Sequence, residues 1–279
     1  MLFKISIFFI FTNGIATYNE MRPRVIDGED AKVYPFVVSI VCVKYCHLLL
    51  KEVIPFIDEQ VTTCRTCSGS LITENWVLSA SHCIGANFNK KIEEVIVRYG
   101  DLTVPYENST YTYLIKGFVH PKYRHTKLEI SNDVGLAKVE RVSIETYGKL
   151  SSVDYQSLIG RSVQYIGSGM SMSDAVFSDD PAKAREILIT DQVRPFQLGH
   201  AIVVRCDHLE DNNYSNPYIC LRPKCSRLLQ RAQRADSGGP LLYRGKIIGV
   251  ANAITDMGTV RYTVVHIYHD WIKNIISTE

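Results

Sequence analysis

Asp236-Ser237-Gly238-Gly239-Pro240 is the stretch on which the reading of this chain depends. A serine hydroxyl is a weak nucleophile until a neighbouring base takes its proton. Flanking glycines let the backbone bend sharply and offer amide N–H groups to a developing oxyanion. Taken alone, the run is equally a surface turn. Its meaning depends on what the rest of the chain supplies.

Working towards the N-terminus, two further stretches carry the missing chemistry. Cys67-Ser68-Gly69-Ser70-Leu71-Ile72 leads into Trp76-Val77-Leu78-Ser79-Ala80-Ser81-His82-Cys83, which wedges a histidine between small residues and a cysteine. Asn132-Asp133-Val134-Gly135-Leu136-Ala137 opens an apolar run with an acid. Singly, each has an ordinary explanation: a structural imidazole, and an aspartate at the start of a strand. Their chain order, His82, Asp133, Ser237, changes those odds.

Around these stretches the chain reads as short β-prone runs punctuated by Gly, Asn, Asp and Pro. They are Phe36 to Val43, Glu94 to Tyr99, Tyr111 to Val119, Val134 to Val139, Ser162 to Ile166, Glu186 to Val193, Lys246 to Val250 and Val260 to Val265. Regular short strands predict an all-β sandwich or barrels. Ile267, Trp271, Ile275 and Ile276 recur near helical spacing and predict one helix, about 266–276. The polar stretch 140–155 reads as a link between two halves, and 47–60 as an inserted loop.

With these contexts on one chain, the sequence resembles the chymotrypsin-like (trypsin-like) serine peptidase family from Arg24 to the C-terminus. Further matching residues are Arg24-Val25-Ile26-Asp27-Gly28, Ala31, Tyr34-Pro35-Phe36, His120-Pro121 with Tyr123, Tyr218-Ile219-Cys220 and Asp270-Trp271-Ile272. The resemblance implies two packed six-stranded antiparallel β-barrels with a short C-terminal helix. The first barrel would span about 25–140 and the second about 156–265. It implies catalysis by His82, Asp133 and Ser237, an oxyanion hole from the N–H groups of Ala235 and Ser237, and no cofactor or metal. It implies a zymogen cut after Arg24 by a trypsin-like peptidase, the freed Val25 ammonium then meeting Asp236. Activity would fall as pH climbs through the raised pKa of that amine. It also implies disulfides Cys67–Cys83 and Cys206–Cys220. Cys42, Cys46, Cys64 and Cys225 are left with three possible pairings, among which Cys64 with Cys42 or Cys46 would close the inserted loop.

Several positions depart from the family pattern. Ala235 stands where the family has glycine two residues before the nucleophile. A Cβ there penalises glycine-like conformations by roughly 1–3 kcal/mol, and a lost oxyanion donor lowers turnover about 10²–10³-fold. Arg231 stands where trypsins carry an acid; it either meets an acidic P1 side chain or points to solvent. Asn252-Ala253-Ile254 replaces the usual Ser-Trp-Gly, and Val260 replaces a wall glycine, which together would narrow the pocket. The cysteine pair that braces this pocket is missing, with Gln233 at one end, and Ser168 replaces a tryptophan. Two expectations follow: an endopeptidase of restricted specificity or, alternatively, a weak or inactive homologue acting as a binding protein.

The remaining features fit export. Lys4, the apolar run Ile5 to Phe11 and Gly14-Ile15-Ala16 read as a signal peptide over 1–16, followed by a propeptide over 17–24. Eight cysteines then read as disulfides of a secreted, extracellular protein. Asn108 and Asn213 sit in glycosylation sequons. The formal charge of +2 on 279 residues, without a basic stripe, argues against a nucleic-acid partner. No later run is long enough to cross a membrane. The expected partners are protein or peptide substrates and the activating peptidase, and the expected state is a monomer.

Overall fold

The computed structural model describes residues 29–30, 34–43, 63–85, 95–126, 130–167, 182, 186, 193–206, 217–224, 236–254 and 260–279. Its strands are β1 (Glu29–Asp30), β2 (Val37–Cys42), β3 (Cys64–Thr73), β4 (Trp76–Ser79), β5 (Val95–Arg98), β6 (Tyr111–Val119), β7 (Arg124–His125), β8 (Ile130–Ser131) and β9 (Gly135–Val139) in the first half. The second half contributes β10 (Ser162–Gly167), β11 (Gln197–Val204), β12 (Tyr218–Pro223), β13 (Pro240–Tyr243), β14 (Lys246–Ile254) and β15 (Val260–Val264).

The predicted pair of barrels forms. The first closes in the order β2-β3-β4-β9-β6-β5, with every pairing antiparallel. The second runs β11-β10-β13-β14-β15-β12 and closes through β11 and β12. β1 extends it, taking the N-terminal half of the β11 edge, with Asp30 opposite Gln197. Among the described residues, closure leaves no long unpaired edge. β2, β4 and β5 are buried along their whole length, so both their faces are covered, whereas β6 alternates buried and exposed positions over its first residues.

The larger apolar cluster fills the first barrel and crosses into the second through Ile166, Leu242, Ile247 and Val250. A smaller one fills the second barrel around Val163, Tyr165, Leu241 and Tyr262. The link between halves is held by both: the Gly148 amide donates to Leu71 O at 2.8 Å, and the Ser151 amide to Ile247 O at 2.9 Å. The C-terminal element is a 3-10 turn, His266–Tyr268, followed by the helix His269–Thr278. That helix buries Ile272, and the residue that follows it, Glu279, is gripped by Lys116 of β6 at 2.8 Å.

One expected strand is not extended at its two described residues. Over the expected run at 186–193, Glu186 has helical backbone and Val193 lies in a turn, and the intervening residues are outside the described ones. Beyond it lies β11, which the sequence reading did not anticipate. Gly199 interrupts its β-prone pattern because a Cβ there would sit 2.2 Å from the Tyr165 ring. The inserted loop at 47–60 also lies outside the described residues.

Candidate active site

His82 sits in a single helical turn, Ser81–Gly85, that follows β4. The Cys67–Cys83 disulfide ties this turn to β3. The Asp133 carboxylate meets the turn with both oxygens. Oδ1 accepts from the His82 backbone N–H at 2.9 Å, and Oδ2 lies 2.7 Å from Nδ1. A carboxylate only accepts, so this pairing assigns the ring proton to Nδ1 and leaves Nε2 as a base. Asp133 is fully buried, while the His82 side chain is 23% exposed and therefore reachable.

Asp133 is aimed by its neighbours in sequence. Asn132 takes the left-handed conformation, φ 50°, which asparagine tolerates better than most residues. Its amide donates to Lys122 O at 2.9 Å and its Oδ1 accepts from the Tyr268 hydroxyl at 3.2 Å. On the other side, the Ser81 hydroxyl donates to Val134 O at 2.6 Å. Burial chiefly pushes the phenols of Tyr123 and Tyr268 well above the ordinary tyrosine range, with the Asp133 charge adding to it at Tyr123, and Tyr218 and then Asp133 at Tyr268. Both therefore remain neutral next to the carboxylate.

Ser237 is held by contacts of its backbone. Its carbonyl accepts from the Ser68 N–H at 2.8 Å, and the Cys83 sulfur lies 3.6 Å from the same oxygen. That sulfur is in a disulfide and donates nothing, so this is a packing contact. Gly238 has φ +82°, and a Cβ there would fall 2.0 Å from Ser79 Oγ and 2.2 Å from Ser68 O. The serine turn thus lies flush against the strand end that carries His82. The Gly238 amide donates to Ala251 O, and the Gly239 amide to Asp236 O, each at 2.8 Å.

Asp236 is buried, with its carboxylate against Gly167, where a Cβ would be 2.3 Å from Cγ. Tyr165 and Tyr262 lie within its field. Burial chiefly, with a smaller contribution from the Asp236 charge, keeps both phenols neutral.

On the candidate substrate side, Asn252 is buried at a bulge between β14 and β15 and donates to Thr263 Oγ1 at 3.0 Å. The same ladder pairs Ile254 with Val260 and Ala253 with Arg261. Cys206–Cys220 is formed, and the β2–β3 register sets Cys42 opposite Cys64. Asn108 is exposed at the end of a 3-10 turn, Tyr106–Asn108. Arg24, Val25, Arg231, Ala235, Asn213, Cys46 and Cys225 lie outside the described residues.

Cys67, His82 and Cys83 bring three ligand-type atoms within 4.8 Å of one another. Two of them are the sulfurs of one disulfide, which lacks the thiolate that metal binding needs. The reading of the sequence missed Ser81, Gly167 and Tyr268 as supports. Ser81 and Tyr268 gave no local signal. Gly167 was visible only as the neighbour of Ser168.

Known proteins resemble this chain in sequence and in fold. The chain is 25% identical over 225 residues to human "Trypsin-3", a match covering 76% of this chain and 65% of that protein's length. It is 27% identical over 226 residues to "Bradykinin-releasing enzyme KR-E-1" of Gloydius ussuriensis, covering 76% of this chain and 86% of that one. Among solved structures, the scabies mite inactivated protease paralogue S-I1 superposes with a TM-score of 0.65 at 18% identity, covering 90% of this chain and 99% of that one. Mouse neuropsin gives 0.63 at 17%, with the same coverage. The family model described as Trypsin matches residues 57–272. With that match across most of its length, the chain belongs to the Trypsin family of serine proteases.

Proposed function

We propose that this chain is a secreted serine endopeptidase that hydrolyses peptide bonds through an acyl-enzyme and is activated by cleavage after Arg24. The observation that carries the reading is the two-oxygen grip of Asp133 on His82, with the Ser237 turn packed against the same helical turn. In the proposed reaction His82 Nε2 takes the Ser237 proton as Oγ attacks the scissile carbonyl. The proton then passes to the leaving amine, and water repeats the sequence to release the acid. Asp133 holds the tautomer and stabilises the imidazolium. The N–H groups of Ala235 and Ser237 would receive the oxyanion.

Activation has a physical route. Asp30 pairs with Gln197, and Gln197 also pairs with Gly167, which faces Asp236. Val25 lies five residue steps before Asp30, a span of at most about 17 Å. A Val25 ammonium freed by cleavage is therefore within reach of the buried Asp236 carboxylate. Ile254 and Val260, standing where the family carries glycines, support a narrow pocket that disfavours large P1 residues. The exposed Asn108 supports glycan attachment at its sequon.

A second reading, a weak or inactive homologue that binds rather than cleaves, is favoured by Ala235 at the oxyanion loop and by Arg231. An organophosphonate probe applied to Arg24-cleaved protein separates the two. Labelling at Ser237 that disappears in Ser237→Ala is expected. Absence of labelling in folded, cleaved protein would establish the binding reading instead.

A further inference from the structure

Asp133 comes from the first barrel and Ser237 from the second, so the site works only if something fixes one half relative to the other. Tyr218 is placed to do so. It opens β12 in the second barrel, pairs with Thr263 of β15, and is buried. Its hydroxyl reaches across the junction and donates to Ile130 O on β8, three positions before Asp133. The phenol has support at its root. The Arg261 guanidinium lies 5.7 Å from its ring centroid. Two residues on, Cys220 is bonded to Cys206, whose sulfur lies 3.6 Å from Tyr218 O.

We propose that Tyr218 is a positioning residue, a strut from the second barrel that sets the Asp133 loop and so aligns the His82–Asp133 pair with Ser237. The assignment rests on the peptidase reading for its consequence in catalysis, but its structural content does not. Between Ile130 and Asp133 there is little slack. Ser131 is buried and paired with Arg124, and Asn132 is fixed at both ends of its amide. A shift of Ile130 therefore passes to the carboxylate. Displacement of a catalytic group by about 1 Å can lower rate on the order of 10²-fold, so loss of one anchor is expected to matter. A phenylalanine at this position would keep the ring, its burial and the cation above it, and would remove only the anchor.

The test is Tyr218→Phe in the full chain labelled with ¹⁵N-histidine. Loss of the strut is expected to speed solvent exchange of the His82 Nδ1 proton about tenfold or more, with the β9 amides as protected as before. Organophosphonate labelling of the cleaved protein should slow by a similar factor. Exchange within twofold of the parent would overturn the proposal. If the variant fails to fold, the parent decides. Protection of the His82 backbone amide equal to that of the β9 amides supports the strut, and a poorly protected His82 amide overturns it. The proton exchange reads the His82–Asp133 pair without turnover. A parent that takes no phosphonate would sink the peptidase reading and leave the strut standing. A labelled parent with unaltered exchange in the variant would do the reverse.

Discussion

The two barrels hold their shares of the candidate site by opposite means. In the first, the work is done by side-chain polar groups: Asp133 grips His82 twice, Ser81 holds Val134, and Asn132 joins Lys122 to Tyr268. In the second, much of it is done by missing side chains. Gly238 lets the serine turn lie on Ser68 and Ser79, Gly167 admits the Asp236 carboxylate, and Gly199 admits the Tyr165 ring. Polar aiming fails by misdirection with the fold intact, because a hydrogen bond contributes little net stability. Close backbone approach fails by collision, which is felt in the fold itself. Errors in the first half should therefore appear in reactivity, and errors in the second in stability.

The largest expected effect tests the first half. Asp133→Asn keeps the shape but offers an amide that donates towards Nδ1, which drives the ring proton to Nε2 and removes the base. For the family's template enzyme the corresponding change lowers turnover about 10⁴-fold. A fall of that order in organophosphonate labelling is expected, with the cooperative unfolding transition retained. A loss below tenfold would break the polar half of the comparison.

Gly238→Ala tests the second half. The new Cβ would meet Ser79 Oγ and Ser68 O at 2.0 and 2.2 Å, in a backbone conformation that disfavours any side chain. Strain and overpacking of about 1–3 kcal/mol each lead to an expected loss of roughly 2–6 kcal/mol. Denaturant unfolding measures it, and a change under 1 kcal/mol would show that the turn has slack.

The same contrast explains what could be read from the sequence. The candidate nucleophile, base and acid were each ambiguous in their own run and stood out only through their order on one chain and the family resemblance that order carries. The all-β class was legible because runs such as Tyr111 to Val119 in β6 are unbroken, whereas the choice of two barrels came with the family resemblance. Long-range supports were not legible. Nothing next to Tyr218 in sequence points to Ile130, and nothing beside Tyr268 points to Asn132. β11 was overlooked because Gly199 dilutes its pattern, and the reason for that glycine is a tyrosine on the neighbouring strand. A residue whose role is to be small for a distant partner looks like a break in the chain.

Gly167→Ala sharpens the comparison at smaller scale. Its Cβ would fall 2.3 Å from Asp236 Cγ, the tip of a side chain that can move by rotation. The expected loss is about 1–3 kcal/mol. Asp236 directly precedes Ser237, so slower labelling should accompany it, unlike at Gly199. Unchanged labelling would separate the Asp236 site from the nucleophile.

The smallest expected effect is one of pH. His120 is stacked edge-on between Tyr268 and Trp271, at 5.0 and 5.1 Å, and packs next to the chain that carries Asp133. Burial first, and then the Lys122 charge, lower its pKa from the ordinary 6.5. His269, on the C-terminal helix, is lowered chiefly by burial as well. For a histidine with a depressed pKa, the neutral form is the one the fold prefers. The contribution is complete above about pH 6.5 and is lost as pH falls through the folded-state value, because the unfolded chain then binds more protons. The thermal midpoint should therefore decline as pH drops below 6.5, and His120→Phe should flatten part of that decline while leaving the midpoint at pH 8 nearly unchanged. Equal slopes in parent and variant would mean that this imidazole senses no difference between the folded and unfolded chain, and that the packing between Tyr268 and Trp271 is indifferent to its charge.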